Sequence, residues 1–331
     1  MDFTGIKKLL IIRLSSLGDI LLTTPLIRSI KIKYPDISID FLLKDQYKDI
    51  LLFNHYLSKV IEYKSGKNDK KILFNQIRNN NYDLIIDLQN NFRSWEIRRQ
   101  LNAKSVKFNK RTLDKFLLVK FKINKLKDAP QIPVRYSQSL SDFSLDENGL
   151  DLFIPKNASA QLIDEEKYIG FAPGSRHFTK MWLKEYYIEL GNMLVKEGYK
   201  VVLFGGKDDL QMCYYLSTKI AGSINLSNDN KVFNIAADMK RCEAIVCNDS
   251  GLMHVACALR VPVLAFFGST VKEFGFSPYK NKNVVMENEG LYCRPCSHIG
   301  RDRCPEKHFK CMKELTPESA FEKLKLLLNS K

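Results

Sequence analysis

Asp19 ends the run Ser15-Ser16-Leu17-Gly18-Asp19, which follows the apolar stretch Leu9 to Leu14 and precedes Ile20, Leu21, Leu22, Leu26, Ile27 and Ile30 at helical spacing. A carboxylate there can take a proton from a substrate hydroxyl, although capping the helix is the ordinary role of such an acid. The run lacks the G-x-G-x-x-G and G-x-x-x-x-G-K-[ST] spacings, so neither a dinucleotide fingerprint nor a P-loop is supported. Three later loops suit an anion. Ala172-Pro173-Gly174-Ser175-Arg176 combines small residues, which let backbone N–H groups approach, with charge from Arg176 and Lys180. Gly205-Gly206-Lys207-Asp208-Asp209 offers a carboxylate suited to ribose hydroxyls, or a plain glycine turn before a capped helix. Asn248-Asp249-Ser250-Gly251-Leu252-Met253-His254 sets a helix N-terminus beside Asp249 and His254, an arrangement that suits a diphosphate.

Cys293-x2-Cys296-x7-Cys304-x6-Cys311 places four thiols within 19 residues, with His298 and His308 interspersed. The leading C-x-x-C suits tetrahedral zinc, but the second half is not a C-x-x-C knuckle. Structural zinc, disulfides and packed thiols therefore all stay open. Cys213, Cys242, Cys247 and Cys257 fall in expected helices or strands and read as small core residues.

The elements that must position these loops alternate. Strands are expected near Leu9–Leu14, Ser38–Leu43 and Leu84–Asp87, with helical segments between and basic helical segments beyond. Pro130, Pro133 and the polar stretch Pro155 to Glu166 mark a crossover. A second alternation then begins: strand Tyr168–Ala172, amphipathic helix Trp182–Lys196 closed by Gly198, strand Lys200–Phe204, helix Val232–Met239, strand Ala244–Cys247, helix Gly251–Leu259 and strand Val261–Phe267. Strands alternating with helices imply parallel sheets covered on both faces, hence two doubly wound α/β domains, at residues 1–160 and 161–331. In such sheets ligands bind beyond the carboxyl ends of the strands, and with two domains the cleft between them is the expected site.

Length and charge narrow the classes. At roughly 150 residues per domain, 331 residues make about two domains, and 45% hydrophobic with 27% charged residues excludes disorder, collagen and coiled coil. The longest apolar runs, such as Val261 to Phe267, are far short of the ~20 residues of a membrane span. The apolar stretch Leu9 to Ile12 ends at Arg13 without a cleavage site, so a cytosolic protein with reduced cysteines is expected. The net charge is +15, of which +11 lies in the first 150 residues and +10 between Asn90 and Arg135 alone. Such a surface suits nucleic acid, an anionic membrane or an acidic substrate, or is simply a solvated lysine-rich face. No RNP, zinc-finger or helix-turn-helix signature accompanies it, so no nucleic-acid partner is expected.

The pieces Ile11-Ile12-Arg13-Leu14-Ser15-Ser16-Leu17-Gly18-Asp19-Ile20, Tyr82-Asp83-Leu84-Ile85-Ile86-Asp87-Leu88-Gln89, Ala172-Pro173-Gly174-Ser175, Lys180-Met181-Trp182 and Asn248-Asp249-Ser250-Gly251-Leu252-Met253-His254-Val255-Ala256 together resemble glycosyltransferase family 9, the lipopolysaccharide core heptosyltransferases. The block around Asp249 with Phe267-Gly268-Ser269-Thr270 is most similar to the heptosyltransferase II branch. The resemblance implies a GT-B fold, with an N-terminal acceptor-binding domain, a C-terminal nucleotide-sugar-binding domain and a last helix that packs back on the first. It implies an inverting single displacement from ADP-heptose to an anionic Kdo-lipid A type acceptor at the inner membrane surface. Asp19 is then the base; Ser175, Arg176, Lys180, Asp208, Asn230, Asp249, Ser250, Gly251 and His254 hold the donor; and Arg13, Ser16, Gln89 and Arg93 face the acceptor. Lys180, Arg176 and the N–H groups at Ser250 and Gly251 would stabilise the departing ADP without a metal. No cofactor is expected for the chemistry, and zinc at Cys293, Cys296, Cys304 and Cys311 is left as a structural option. Another sugar nucleotide or glycan acceptor within the family is the alternative, and a basic nucleic-acid-binding protein a remote one.

Overall fold

The computed structural model describes residues 3–141, 143–163, 165–228 and 231–329. They form two compact units. One runs to Arg111 and resumes over Ile132–Phe153, and the other comprises Thr112–Gln131 and the chain from Ile154 onward. The expected boundary at 160 thus falls at Phe153, and Thr112–Gln131, expected in the first domain, groups with the second unit.

The first unit is built from β1 (Lys8–Ile12), α1 (Leu17–Leu21), α2 (Thr24–Lys33), β2 (Ser38–Lys44), β3 (Lys59–Tyr63), α3 (Lys67–Arg78), β4 (Leu84–Asp87), α4 (Phe92–Arg98) and β5 (Lys104–Lys107). The chain then passes through α5 (Thr112–Phe121), part of the other unit, and returns with α6 (Ile132–Gln138), which packs on α2. Its five strands are all parallel in the order β3-β2-β1-β4-β5. β1 and β4 are central and apolar because both faces are covered: Leu10, Ile12 and Ile85 meet Leu73, Ile77 and Ile97 of α3 and α4. The edge strands β3 and β5 escape the sequence reading. Lys104-Ser105-Val106-Lys107 is short and partly exposed, and carries no apolar run to betray it.

The second unit follows with β6 (Tyr168–Ala172), α7 (Lys184–Lys196), β7 (Lys200–Leu203), α8 (Leu210–Ser217), β8 (Ile224–Asn225), α9 (Val232–Met239), β9 (Cys242–Asn248), α10 (Gly251–Ala258), β10 (Val263–Phe267), β11 (Asn283–Glu287), α11 (Lys310–Lys313) and α12 (Pro317–Asn329). Its six strands are parallel in the order β11-β10-β9-β6-β7-β8. Trp182 is the anchor of the core. Its ring stacks on Phe266 at 4.0 Å, and its indole N–H donates to the Leu315 carbonyl at 2.8 Å, so an apolar body and a polar edge are both satisfied. The last helix, expected to pack back on the N-terminal domain, instead groups with the second unit and lies against α7, β10 and β11.

Each sheet reverses its strand order once: between β1 and β4 in the first unit, and between β6 and β9 in the second. At such a reversal the two flanking loops diverge to opposite faces and leave a crevice at the strand ends. Asp19 and Gln89 follow β1 and β4; Ser175, Lys180 and Asp249 follow β6 and β9.

Candidate active site

In the first unit, Ser16 starts α1 in an extended conformation, and Asp19 sits three residues on, where a carboxylate reaches back to the helix start. Asp19 Oδ2 accepts from the Ser16 backbone N–H at 3.1 Å and from its hydroxyl at 2.8 Å. Oδ1 receives the Arg13 Nη2 at 2.5 Å. Arg13, expected to face an acceptor, is buried and is the partner of Asp19. Its Nε donates to the Ser15 carbonyl at 2.9 Å and its Nη1 to the Leu88 carbonyl at 2.7 Å, while its guanidinium lies 5.8 Å from the centre of the Tyr136 ring. Gln89 likewise faces its own chain: its Oε1 accepts from the N–H of Leu14 at 2.9 Å and of Ser15 at 3.3 Å, tying the loop after β4 to the loop after β1. Arg93 is exposed on α4, whereas Arg98 of the same helix turns in and donates to the fully buried Asp87 at 2.8 Å.

Cations crowd this end of the sheet. Burial and the charge of Arg13 push the Lys110 ammonium below its usual range, with Asp87 and Asp19 pulling the other way. Burial, helped by Arg111, lowers Arg135 to about 10. Lys110, Arg135, Asp87 and Tyr136 were not assigned to the site from sequence. The signal for Lys110 was its place in the basic segment, but nothing in a run of lysines tells which one turns inward.

In the second unit, Lys180 Nζ meets Asp249 Oδ2 at 2.7 Å, and the same oxygen accepts from the Thr270 hydroxyl at 2.8 Å. Asn248, fully buried at the end of β9, binds the loops together: its Oδ1 accepts from the Trp182 N–H at 2.9 Å and its Nδ2 donates to the Pro173 carbonyl at 2.7 Å. Ser250 caps α10 and Gly251 is its first residue, so the free N–H groups of that end open beside Asp249. Ser175 is half-buried, Arg176 exposed and His254 buried within α10. Asp208 is exposed on the turn after β7, while its neighbour Asp209 faces inward. Asp209 Oδ2 accepts from Gly206 N–H at 3.0 Å, and a Cβ on Gly174 would come within 2.0 Å of Oδ1, so only glycine permits this closure. Burial raises the Asp209 carboxyl. Asn230 lies outside the described residues.

The cysteine-rich stretch is fastened by an arginine. Arg294 donates to the carbonyls of Phe267 at 3.1 Å, Gly268 at 2.6 Å and Thr270 at 2.8 Å, to that of Asn288, and to Glu287 at 2.7 Å. It thereby holds the loop that carries Thr270. Burial raises the thiols of Cys293 and Cys296, and pushes Cys311 up to about 12. Cys293 Sγ lies 3.8 Å from His308 Nε2. Among the described residues no group of three or more His, Cys, Asp or Glu is arranged to hold a metal ion. No described helix is long and apolar enough to cross a membrane.

Known proteins resemble this chain along nearly its whole length. A lipooligosaccharide heptosyltransferase 2 of Haemophilus influenzae is 27% identical over 97% of this chain and 99% of its own. One of Campylobacter jejuni is 26% identical over 88% and 92%. Among solved structures, a family 9 glycosyl transferase from Veillonella parvula superposes with a TM-score of 0.78 at 22% identity, covering 97% of both chains. The E. coli ADP-heptose LPS heptosyltransferase II gives 0.74 at 24% identity, covering 97% of this chain and 98% of that one, so the GT-B-type fold is shared. The sequence profile of glycosyltransferase family 9 (heptosyltransferase) matches residues 71–308, and with both sheets, both reversals and their loops in place, the chain belongs to that family of glycosyltransferases.

Proposed function

We propose that this glycosyltransferase moves heptose from ADP-heptose onto the Kdo/heptose inner core of lipopolysaccharide or lipooligosaccharide, with inversion. The observation that carries the reading is the pairing of opposite charges at the two strand-order reversals. A held carboxylate, Asp19, stands at one, and a held ammonium, Lys180, stands beside an open helix N-terminus at the other. The heptosyltransferase relatives supply the sugar and the acceptor class.

Asp19 Oδ1 has one lone pair engaged by Arg13 and a second available for an acceptor hydroxyl. As that oxygen attacks the anomeric carbon, its proton passes to the carboxylate. The C–O bond to the diphosphate breaks on the opposite face, and the departing ADP gains negative charge. Lys180, Arg176 and the N–H groups of Ser250 and Gly251 meet that charge, which is where fixed dipoles contribute most. Asp208 serves the ribose. Lys110 and the basic segment Arg93–Lys127 face the anionic acceptor and the inner leaflet that carries it, each nearby cation contributing ~1 kcal/mol.

The test offers ADP-heptose with Kdo-lipid A and with its monoheptosylated product, and identifies any product by mass. Transfer only to the heptosylated acceptor supports the heptosyltransferase II assignment. Transfer to neither overturns the donor or the acceptor.

A further inference from the structure

α5 is apolar on two opposite sides. Its inner side buries Leu118, with Val119 beside it, against Val271 and Phe274 of the second unit. Its outer side carries Leu113, Phe116 and Phe121, and the turn after it adds Ile123; they are 67%, 54%, 57% and 50% exposed. At the helical repeat, Leu113, Phe116 and Lys120 share one stripe, with Phe121 on its flank. The rings of Phe116 and Phe121 meet edge to face at 5.9 Å and make one apolar ridge. A helix apolar all round is normally buried, and a contiguous exposed apolar surface marks a place that meets something.

The rim says what. Lys120, Lys125 and Lys127 are exposed around the ridge, with Asp128 the exposed acid near them. Lys122 does another job: its Nζ donates to the carbonyls of Val119 and Cys293 at 3.1 Å each and of Pro295 at 2.7 Å, which fixes the end of α5 to the cysteine-rich stretch. The ridge is therefore presented on an anchored support. Apolar rings within a lysine rim complement a surface that is negative outside and apolar just beneath, which is the interface of an anionic bilayer.

We propose that the outer face of α5 inserts into that interface, Leu113, Phe116, Phe121 and Ile123 entering between headgroups while Lys120, Lys125 and Lys127 meet lipid phosphates. This rests on the membrane-facing reading of the basic segment and sharpens it. Charge alone gives adsorption that salt abolishes, whereas inserted rings leave a component that salt does not screen.

The experiment measures co-sedimentation of the full chain with vesicles of phosphatidylcholine, alone and mixed with phosphatidylglycerol, at low and high salt. The variants are Phe116→Ser/Phe121→Ser and Lys120→Gln/Lys125→Gln/Lys127→Gln, all exposed, with folding checked by melting. Binding to the mixed vesicles is expected, falling roughly tenfold or more at both salt concentrations in the phenylalanine variant. The lysine variant loses binding chiefly at low salt. Transfer to a deacylated, soluble acceptor stays unchanged in the phenylalanine variant. Equal partitioning of parent and phenylalanine variant overturns the proposal, as does a parent that transfers heptose yet ignores anionic vesicles. A parent dimer that Phe116→Ser/Phe121→Ser dissociates also overturns it, since the ridge then belongs to a second copy. Absence of transfer to any acceptor strikes the heptosyltransferase reading instead, and vesicle binding remains readable by itself.

Discussion

At the β1–β4 reversal the carboxylate of Asp19 is held by a cation six residues away, in its own loop; at the β6–β9 reversal the ammonium of Lys180 is held by a carboxylate 69 residues away, in another. The first arrangement is local and leaves surplus cations around it, for burial and mutual repulsion depress both Lys110 and Arg135. The second is tertiary and nearly balanced, with Thr270 and Asn248 fixing the two loops and backbone N–H groups supplying further donors. One topological position thus presents two electrostatic environments. Surplus positive charge beside a base suits an anionic acceptor, and a single cation beside a helix N-terminus suits a leaving diphosphate.

The largest effect is expected from Asp19→Asn. Turnover should fall roughly 10²- to 10⁴-fold, with ADP affinity unchanged on the proposal that the second unit holds the donor. The substitution also removes half of a buried ion pair, so the first unit should lose about 1–3 kcal/mol in denaturant melts. Near-normal turnover would take the base role from Asp19.

Lys180→Met comes next, with an expected loss of about 10²- to 10³-fold in kcat/KM for the donor, the range for one charged donor to a developing anion. Because it leaves Asp249 buried without its cation, Asp249→Asn should weaken the donor less than Lys180→Met does. The reverse order, read from donor KM and ADP titrations, would make Asp249 the ligand and Lys180 its support.

Gly174→Ala probes the closure between the β6 and β7 loops. The added methyl would meet Asp209 at 2.0 Å, and displacing it should cost about 1–3 kcal/mol and several-fold in donor affinity, with acceptor KM untouched. Unchanged calorimetric ADP binding would show that Asp209 turns away at no cost.

The smallest effect is expected from Lys110→Met: acceptor KM a few-fold higher, donor KM unchanged and stability equal or slightly improved. The sign follows from its lowered pKa. A cation that the folded state disfavours costs stability while charged; that cost begins to fall as pH rises through the folded value and is gone above the unfolded one. Acceptor affinity in the parent should weaken over the same rise, and the methionine variant should lack that dependence.

The central strands and their outgoing loops were legible because strands covered on both faces read as unbroken apolar runs, and the loops begin where those runs stop. Leu9–Leu14, Tyr168–Ala172 and Val261–Phe267 announce themselves this way. β3, β5, β8 and β11 did not: they are edge or near-edge strands, short and partly exposed, and no periodicity marks them. The capping geometry of Asp19 was readable for the same local reason, since three residues from helix start to carboxylate is a spacing within one turn.

Near neighbours therefore fix the alternation of strands and helices, the loop that carries Asp19 and the helix start after Asn248. Tertiary structure decided which charges meet. Arg13 meets Asp19, Gln89 binds the first loop, Asp209 closes inward while Asp208 stays outside, and Thr112–Gln131 joins the second unit. A side chain's partner at long range depends on the register of parallel strands that are brought together only by folding, and residue type carries no record of that register.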